Sequence, residues 1–265
     1  MPAPLPTLFV PHGAPTFALR PGAAGAALAR MAANLSEPRA IVVVSPHWET
    51  SEVTVGFAER PATIHDFRGF PAPLYEIGYP AQGDPVFAEE IAFLLESSGL
   101  GRIGRDPGRG LDHGAWIPLR IMFPDAGIPV IPVSVPSRAG AADAWRLGIA
   151  LAPLAHDRVL VIGSGNLTHN LRDWYQVQAA GGAVPAYVDG FPEWIAQRAA
   201  AGDVDALVDY RSQAPDAVRA HPTDEHLLPF HVALGAAGEG ARAERFFRGV
   251  ESAVIAMDAY AFHPR

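Results

Sequence analysis

The chain of 265 residues contains no cysteine. That absence excludes disulfides, thiolate nucleophiles, iron–sulfur clusters and Cys-ligated zinc, so any metal ion must be held by nitrogen or oxygen. Lysine is missing as well: all 20 basic residues are arginine, which removes Schiff-base chemistry, a phosphate-loop lysine and a lysine general base. Positive charge is in deficit, with 28 acidic residues and a net charge of -8, and no basic cluster of the kind that grips nucleic acid is present. No apolar run approaches the roughly 18 residues that cross a bilayer. The opening MPAPLPTLFVPHGAP has neither a charged n-region nor a long apolar stretch, so it does not read as a secretory signal and a cytoplasmic location is expected. HExxH, GxSxG and phosphate-loop motifs are absent, and GSGN at 163–166 lacks the third glycine and the acidic partner of a dinucleotide fingerprint.

What is present is an ordinary globular composition, 49% hydrophobic and 18% charged, punctuated by 26 glycines and 26 prolines that imply many defined loops. Strands are predicted at Thr7–Val10, Ala40–Ser45, Val53–Phe57, Val130–Val135 and Val159–Gly163. Continuous apolar runs such as IVVVS and VLVIGS suit strands buried on both faces. Helical patterns at Ala23–Leu35, Pro85–Ser98, Ala141–Ala155, Val188–Ala200 and Glu225–Leu234 lie between or after them. The alternation predicts an α/β fold, a single domain over residues 1–265 with a central, mostly parallel or mixed sheet flanked by helices. The stretch HDFRGFPAPLYEIGYPAQG, residues 65–83, is too irregular for either element and reads as a long loop, either a lip over a site or a surface connection packed by its own aromatics.

The ten histidines carry the functional signal. His12 follows TLFVP, His47 follows IVVVSP and His169 follows VLVIGSGNLT. In open α/β sheets the ligand crevice lies beyond the carboxyl ends of the strands, so these side chains are expected to converge there. His113 and His226 fall at predicted helix starts. Any one of them alone reads as a loop or capping residue, but several in equivalent positions point to one shared centre. Imidazole ligands suit Fe(II) or Zn(II), one ion per chain, rather than Mg or Ca. Asp112 reads as a helix cap or as a residue orienting His113, while His156, His221, His231 and His263 read as structural.

Six blocks in order, PHGAP (11–15), SPHWET (45–50), HDFRGFP with LYEIGYPA (65–81), LDHGAWIPL (111–119), SGNLTHNL (164–171) and HPTDEHLLPF (221–230), resemble the class III extradiol ring-cleaving dioxygenase superfamily, and within it the 4,5-DOPA extradiol dioxygenase-like branch. The resemblance implies an enzyme with a non-haem metal centre that inserts O2 into the ring of a catechol, a DOPA-like or other small dihydroxyphenyl compound. It places His12 and His47 as metal ligands and His226 as the third, where protocatechuate-cleaving relatives carry a glutamate; Glu225 is the alternative. It gives His169 the role of acid/base or fourth ligand, and sets His113 in the substrate pocket as a hydrogen-bond donor. A zinc-dependent hydrolase and a non-enzymatic binding member of the superfamily remain as rival readings. A homo-oligomer is left open.

Overall fold

The computed structural model describes residues 4–180 and 183–265. Its centre is an eight-stranded sheet. The strands in chain order are β1 (Thr7–Pro11), β2 (Ala40–Thr50), β3 (Thr54–Gly56), β4 (Gly104–Asp106), β5 (Val130–Pro136), β6 (Val159–Gly165), β7 (Arg242–Phe247) and β10 (Ala259–His263), with a small separate hairpin of β8 (Val250–Glu251) and β9 (Ile255–Ala256). Across the sheet they lie β4-β3-β5-β2-β6-β1-β10-β7. The four central strands β5, β2, β6 and β1 are parallel. Antiparallel pairs β3/β5 and β1/β10/β7 make the outer parts, so the sheet is mixed.

The central strands are apolar on both faces because both are covered. Along β2, Ile41 and Val43 join one core while Ala40, Val42 and Val44 join the other; β6 divides in the same way, with Leu160 and Ile162 against Val159 and Val161. This is the period-2 alternation of a pleated strand between two layers. Helices α1 (Gly22–Asn34) and α3 (His113–Met122) cover the first face, and α2 (Pro85–Ser97) and α4 (Ala141–Leu151) the second. Helices α5 (Leu171–Ala180), α6 (Tyr187–Ala201), α7 (Val204–Val208), α8 (Tyr210–Gln213) and α9 (Ala217–Ala220) form a further group before α10 (Leu228–Ala236). All nine residues of α10 are buried, as befits a helix without a polar face.

Two elements differ from the sequence reading in ways that matter for the site. The expected helix Glu225–Leu234 begins at Leu228, and Glu225, His226 and Leu227 form a turn ahead of it. Strand β2 continues past Ser45 to Thr50, but its register with β5 breaks: Val44 pairs Val133 and Glu49 pairs Val135, so Ser45–Trp48 stand opposite Ser134 alone. Pro46 has no N–H to give to the ladder, and the extra residues loop out of it.

Candidate metal centre and active site

The parallel strands end together, and the histidines leave from those ends. His12 follows β1 directly, and its backbone N–H donates to the Gly165 carbonyl at the end of β6 (3.3 Å). His47 sits in the looped-out part of β2. His226 comes from the turn before α10, which lies across β6 so closely that a Cβ at Gly165 would overlap the His226 carbonyl oxygen, and one at Gly163 the Pro229 carbonyl oxygen. The two glycines of GSG serve this close approach. At the start of α3, a Cβ on Gly114 would overlap Ser45 Oγ and stand 2.9 Å from His47 Cδ2.

Three rings form a near-equilateral group: the centroids of His12 and His47 are 5.1 Å apart, His47 and His226 5.1 Å, and His12 and His226 5.4 Å. One nitrogen from each lies within 4.8 Å of the others. His113 packs against His47 at 4.0 Å, and His169 stacks on His226 at 3.5 Å with an interplanar angle of 10°. All five predicted site histidines therefore meet in one place.

Hydrogen bonding settles how two of the three rings are turned. Ser164 Oγ donates to the Gly114 carbonyl, so it can only accept from His12 Nδ1, 3.1 Å away. Glu225 Oε1 lies 2.9 Å from His226 Nδ1 and accepts from it. Asp66 Oδ2 lies 3.8 Å from His47 Nδ1. With Nδ1 protonated on the outer edge, Nε2 of His12 and of His226 carries its lone pair inward. His12 Nε2 and His47 Nε2 are 3.2 Å apart. Bonds of 2.0–2.1 Å to one ion would hold neighbouring nitrogens roughly 2.9–3.4 Å apart. The donor set thus fits a cation such as Fe(II) or Zn(II).

Electrostatics agree. Burial, followed by repulsion from His47, His226, His113 and His169, holds the His12 pKa well below its ordinary 6.5. Burial, then His169, His47, His221 and His113, does the same to His226. His47 falls to about 3, burial and His113 outweighing the pull of Asp66. Burial takes His169 to about 4 despite Glu225. Crowded neutral imidazoles are the form in which histidine ligates.

Among the surrounding residues, Asp112 caps its helix as one of its two sequence readings has it, whereas Ser164 and Arg109 carry no spacing signal and went unmarked in the sequence. Ser164 and Asn166 are fully buried; Asn166 Oδ1 accepts from the Gly13 N–H at 3.2 Å, holding the chain after His12. Asp112 caps α3 by accepting from Ala115 N–H (3.2 Å), and also takes the Ser45 hydroxyl (2.6 Å) and the Arg109 guanidinium. Arg109 lies over the Trp48 ring at 4.8 Å. Trp116 is buried, its Nε1 donating to the Ile64 carbonyl (3.1 Å). The remaining five histidines stand outside this group: His65 Nε2 donates to the Ile77 carbonyl (3.0 Å), His221 Nε2 to the Leu167 carbonyl (2.9 Å), His231 contacts the Leu207 and Leu227 carbonyls, His263 pairs with Glu244, and His156 is exposed in the 3-10 helix Ala152–Asp157. The aromatic stretch contains one short 3-10 turn, Ala72–Glu76, and reaches the site through Asp66 and Phe67, whose ring meets His113 edge-on at 5.7 Å. No helix among the described residues is long and apolar enough to cross a membrane.

Comparison with known proteins follows the same line. The chain is 38% identical to a 4,5-DOPA dioxygenase extradiol from Beta vulgaris over 97% of its own length and 96% of that protein's. It is 36% identical to a 4,5-DOPA dioxygenase extradiol from Escherichia coli K12, covering 88% and 85%. The fold superposes on the crystal structure of an uncharacterized Escherichia coli K12 protein with a TM-score of 0.80 at 28% identity, over 97% of this chain and 99% of that one. Residues 23–261 match the family described as the catalytic LigB subunit of aromatic ring-opening dioxygenase. The chain belongs to that family, and is an extradiol aromatic ring-opening dioxygenase.

Proposed function

We propose that this enzyme is metal-dependent and opens the ring of a catechol, a DOPA-like or other small dihydroxyphenyl compound, with His12, His47 and His226 holding one Fe(II) or Zn(II) per chain. The observation that carries the reading is the convergence of one ring nitrogen each from His12, His47 and His226 within 4.8 Å of one another, with the His12 and His226 Nδ1 protons given to Ser164 and Glu225. The names of the relatives, four of them 4,5-DOPA dioxygenases, support the substrate class. Glu225 acts on His226 Nδ1 and is thereby an orienting group rather than a ligand.

The ion, when bound, supplies the positive charge that binds the two catechol oxygens beside O2. The residues around it hold the catechol in register with that position and handle its protons. His169 is the proton carrier. Its ring lies parallel to His226 at 3.5 Å, so its in-plane lone pair would be left free for a proton while His226 would hold the ion. His169 therefore takes a hydroxyl proton and returns it as the ring C–C bond beside a hydroxyl carbon breaks and both oxygen atoms enter the product. His113, on the opposite side against His47, contacts the catechol oxygens. The stretch 65–80 forms the lip that keeps water from the reacting ring.

The test is to remove metal anaerobically, reconstitute separately with Fe(II) and Zn(II), and follow O2 uptake and yellow product with a panel of catechols. Uptake restored by one metal at a stoichiometry of one per chain is the expected result. No uptake with any catechol under either metal would overturn the proposal.

A further inference from the structure

We infer that Asp66 is a positioning residue that fixes which edge of the His113 imidazole faces the substrate. The activity part of this inference rests on the catechol reading above. Asp66 comes from the irregular aromatic stretch, not from a strand end, yet its placement is well determined. Ile64 N–H donates to the Leu111 carbonyl and Leu111 N–H to the Ala62 carbonyl, both at 2.8 Å, so the chain leading to Asp66 is tied to the start of α3. Phe67, on its other side, is buried against His113.

From there the carboxylate addresses the His113 ring. Oδ1 accepts the His113 backbone N–H at 2.9 Å and lies 2.9 Å from His113 Nδ1. That nitrogen is buried and meets no acceptor at a hydrogen-bonding angle among the described residues, so the Asp66 carboxylate acts on it through charge and proximity. Oδ2 lies 3.8 Å from His47 Nδ1. A carboxylate oxygen 2.9 Å from an imidazole nitrogen favours a proton on that nitrogen over a lone pair, so His113 carries Nδ1–H beside Asp66 and leaves Nε2 unprotonated on the far edge.

For His113 the consequence is specific to the substrate. A neutral His113 held this way offers Nε2 as a hydrogen-bond acceptor for a catechol O–H, where the sequence reading gives it a donor. Without the carboxylate, either nitrogen can carry the proton and part of the population presents the wrong edge.

The experiment uses Zn(II)-loaded, ¹⁵N-histidine-labelled protein, with long-range ¹H–¹⁵N spectra reporting which nitrogen of each ring is protonated. Wild type is expected to show His113 protonated on Nδ1. Asp66→Asn and Asp66→Ala should move His113 partly to the Nε2–H form, keep one Zn(II) per chain, and in the active metal form lower kcat by roughly 10- to 100-fold with a smaller change in KM. Asp66→Glu should restore part of both signals. Wild-type His113 protonated on Nε2, or variants with unchanged tautomer and kcat, would overturn the inference. Failure of wild type to open any catechol would instead defeat the functional reading, and the tautomer spectra would still decide the role of Asp66.

Discussion

Replacing Gly165 with alanine should displace His226, the proposed third ligand, without touching any of the proposed ligand side chains. The added methyl overlaps the His226 carbonyl oxygen and comes to 2.9 Å from Phe9 Cε2. Both obstacles are stiff: one is main chain, and Phe9 is fully buried in the core. Relief requires the turn carrying His226 to back away by roughly 1 Å, and overpacking of this kind costs about 1–3 kcal/mol. At about 2–4 °C per kcal/mol for a domain of this size, Tm should fall by roughly 2–12 °C. Function should suffer more, because a misplacement near 1 Å at a reacting centre costs on the order of 10²-fold.

Three measurements on one variant separate these effects: a thermal melt, Zn(II) affinity by chelator competition, and O2 uptake with a catechol. Gly190→Ala is the control, since nothing lies within 4 Å of a Cβ added there on α6; it should gain up to about 1 kcal/mol of stability and leave metal binding alone. Wild-type affinity and turnover in Gly165→Ala would refute the argument, showing either that this packing does not set the position of His226 or that His226 is not a ligand.

Other perturbations test the neighbouring parts. His226→Ala should lose the ion, whereas Glu225→Ala should keep it with weakened affinity; the reverse pattern, read by metal analysis, would make Glu225 the ligand. His169→Ala should retain metal and catechol while turnover falls by roughly 10²- to 10⁴-fold, and metal loss in parallel with activity would mark it as a ligand instead. Acid should destabilise the metal-free protein: the unfolded histidines bind protons from pH 6.5 downward, while folded His169 and His221 do so only near 4 and His47 near 3. The unfolded chain then holds more protons across that window, and Tm should drop as pH falls from about 6.5 towards 4; a flat profile over that range would contradict the buried neutral imidazoles. Hydrogen exchange in residues 65–80 should slow when a catechol analogue binds, and equal exchange with and without it would remove the lip.

The parts of this molecule that could be read from sequence are those whose signal is local. IVVVS and VLVIGS announce β2 and β6 because a strand covered on both faces needs apolar residues at every position, and His12, His47 and His169 are visible because they follow such runs. Strand β7, Arg242–Phe247, escapes notice because it lies at a half-exposed edge and mixes charges with aromatics. The start of α10 is misplaced by three residues because the apolar run LLPFHVALGA has no polar face to give a period, and only tertiary contacts end the turn that precedes it. The difference has chemical weight. A helix beginning near Pro222 would set Glu225 and His226 about 100° apart and force a choice between them, whereas the turn lets the Glu225 carboxylate reach His226 Nδ1 at 2.9 Å, so that both serve one ligand position.

The groups that orient the rings were invisible for a different reason. Ser164 is 152 residues from His12 in sequence, and nothing in SGN or HDF marks a serine or an aspartate as a partner for a distant imidazole. The glycines of GSG show how the same residues can carry a different message: judged by motif they are an incomplete dinucleotide fingerprint, while in the fold Gly163 and Gly165 leave room for the chain that delivers His226. Absence of a side chain is here what places one. A spacing rule finds residues that act through their neighbours in the chain, as Glu225 acts on His226, whereas the turn of the His12 ring is set by a hydroxyl that only the folded sheet brings to it.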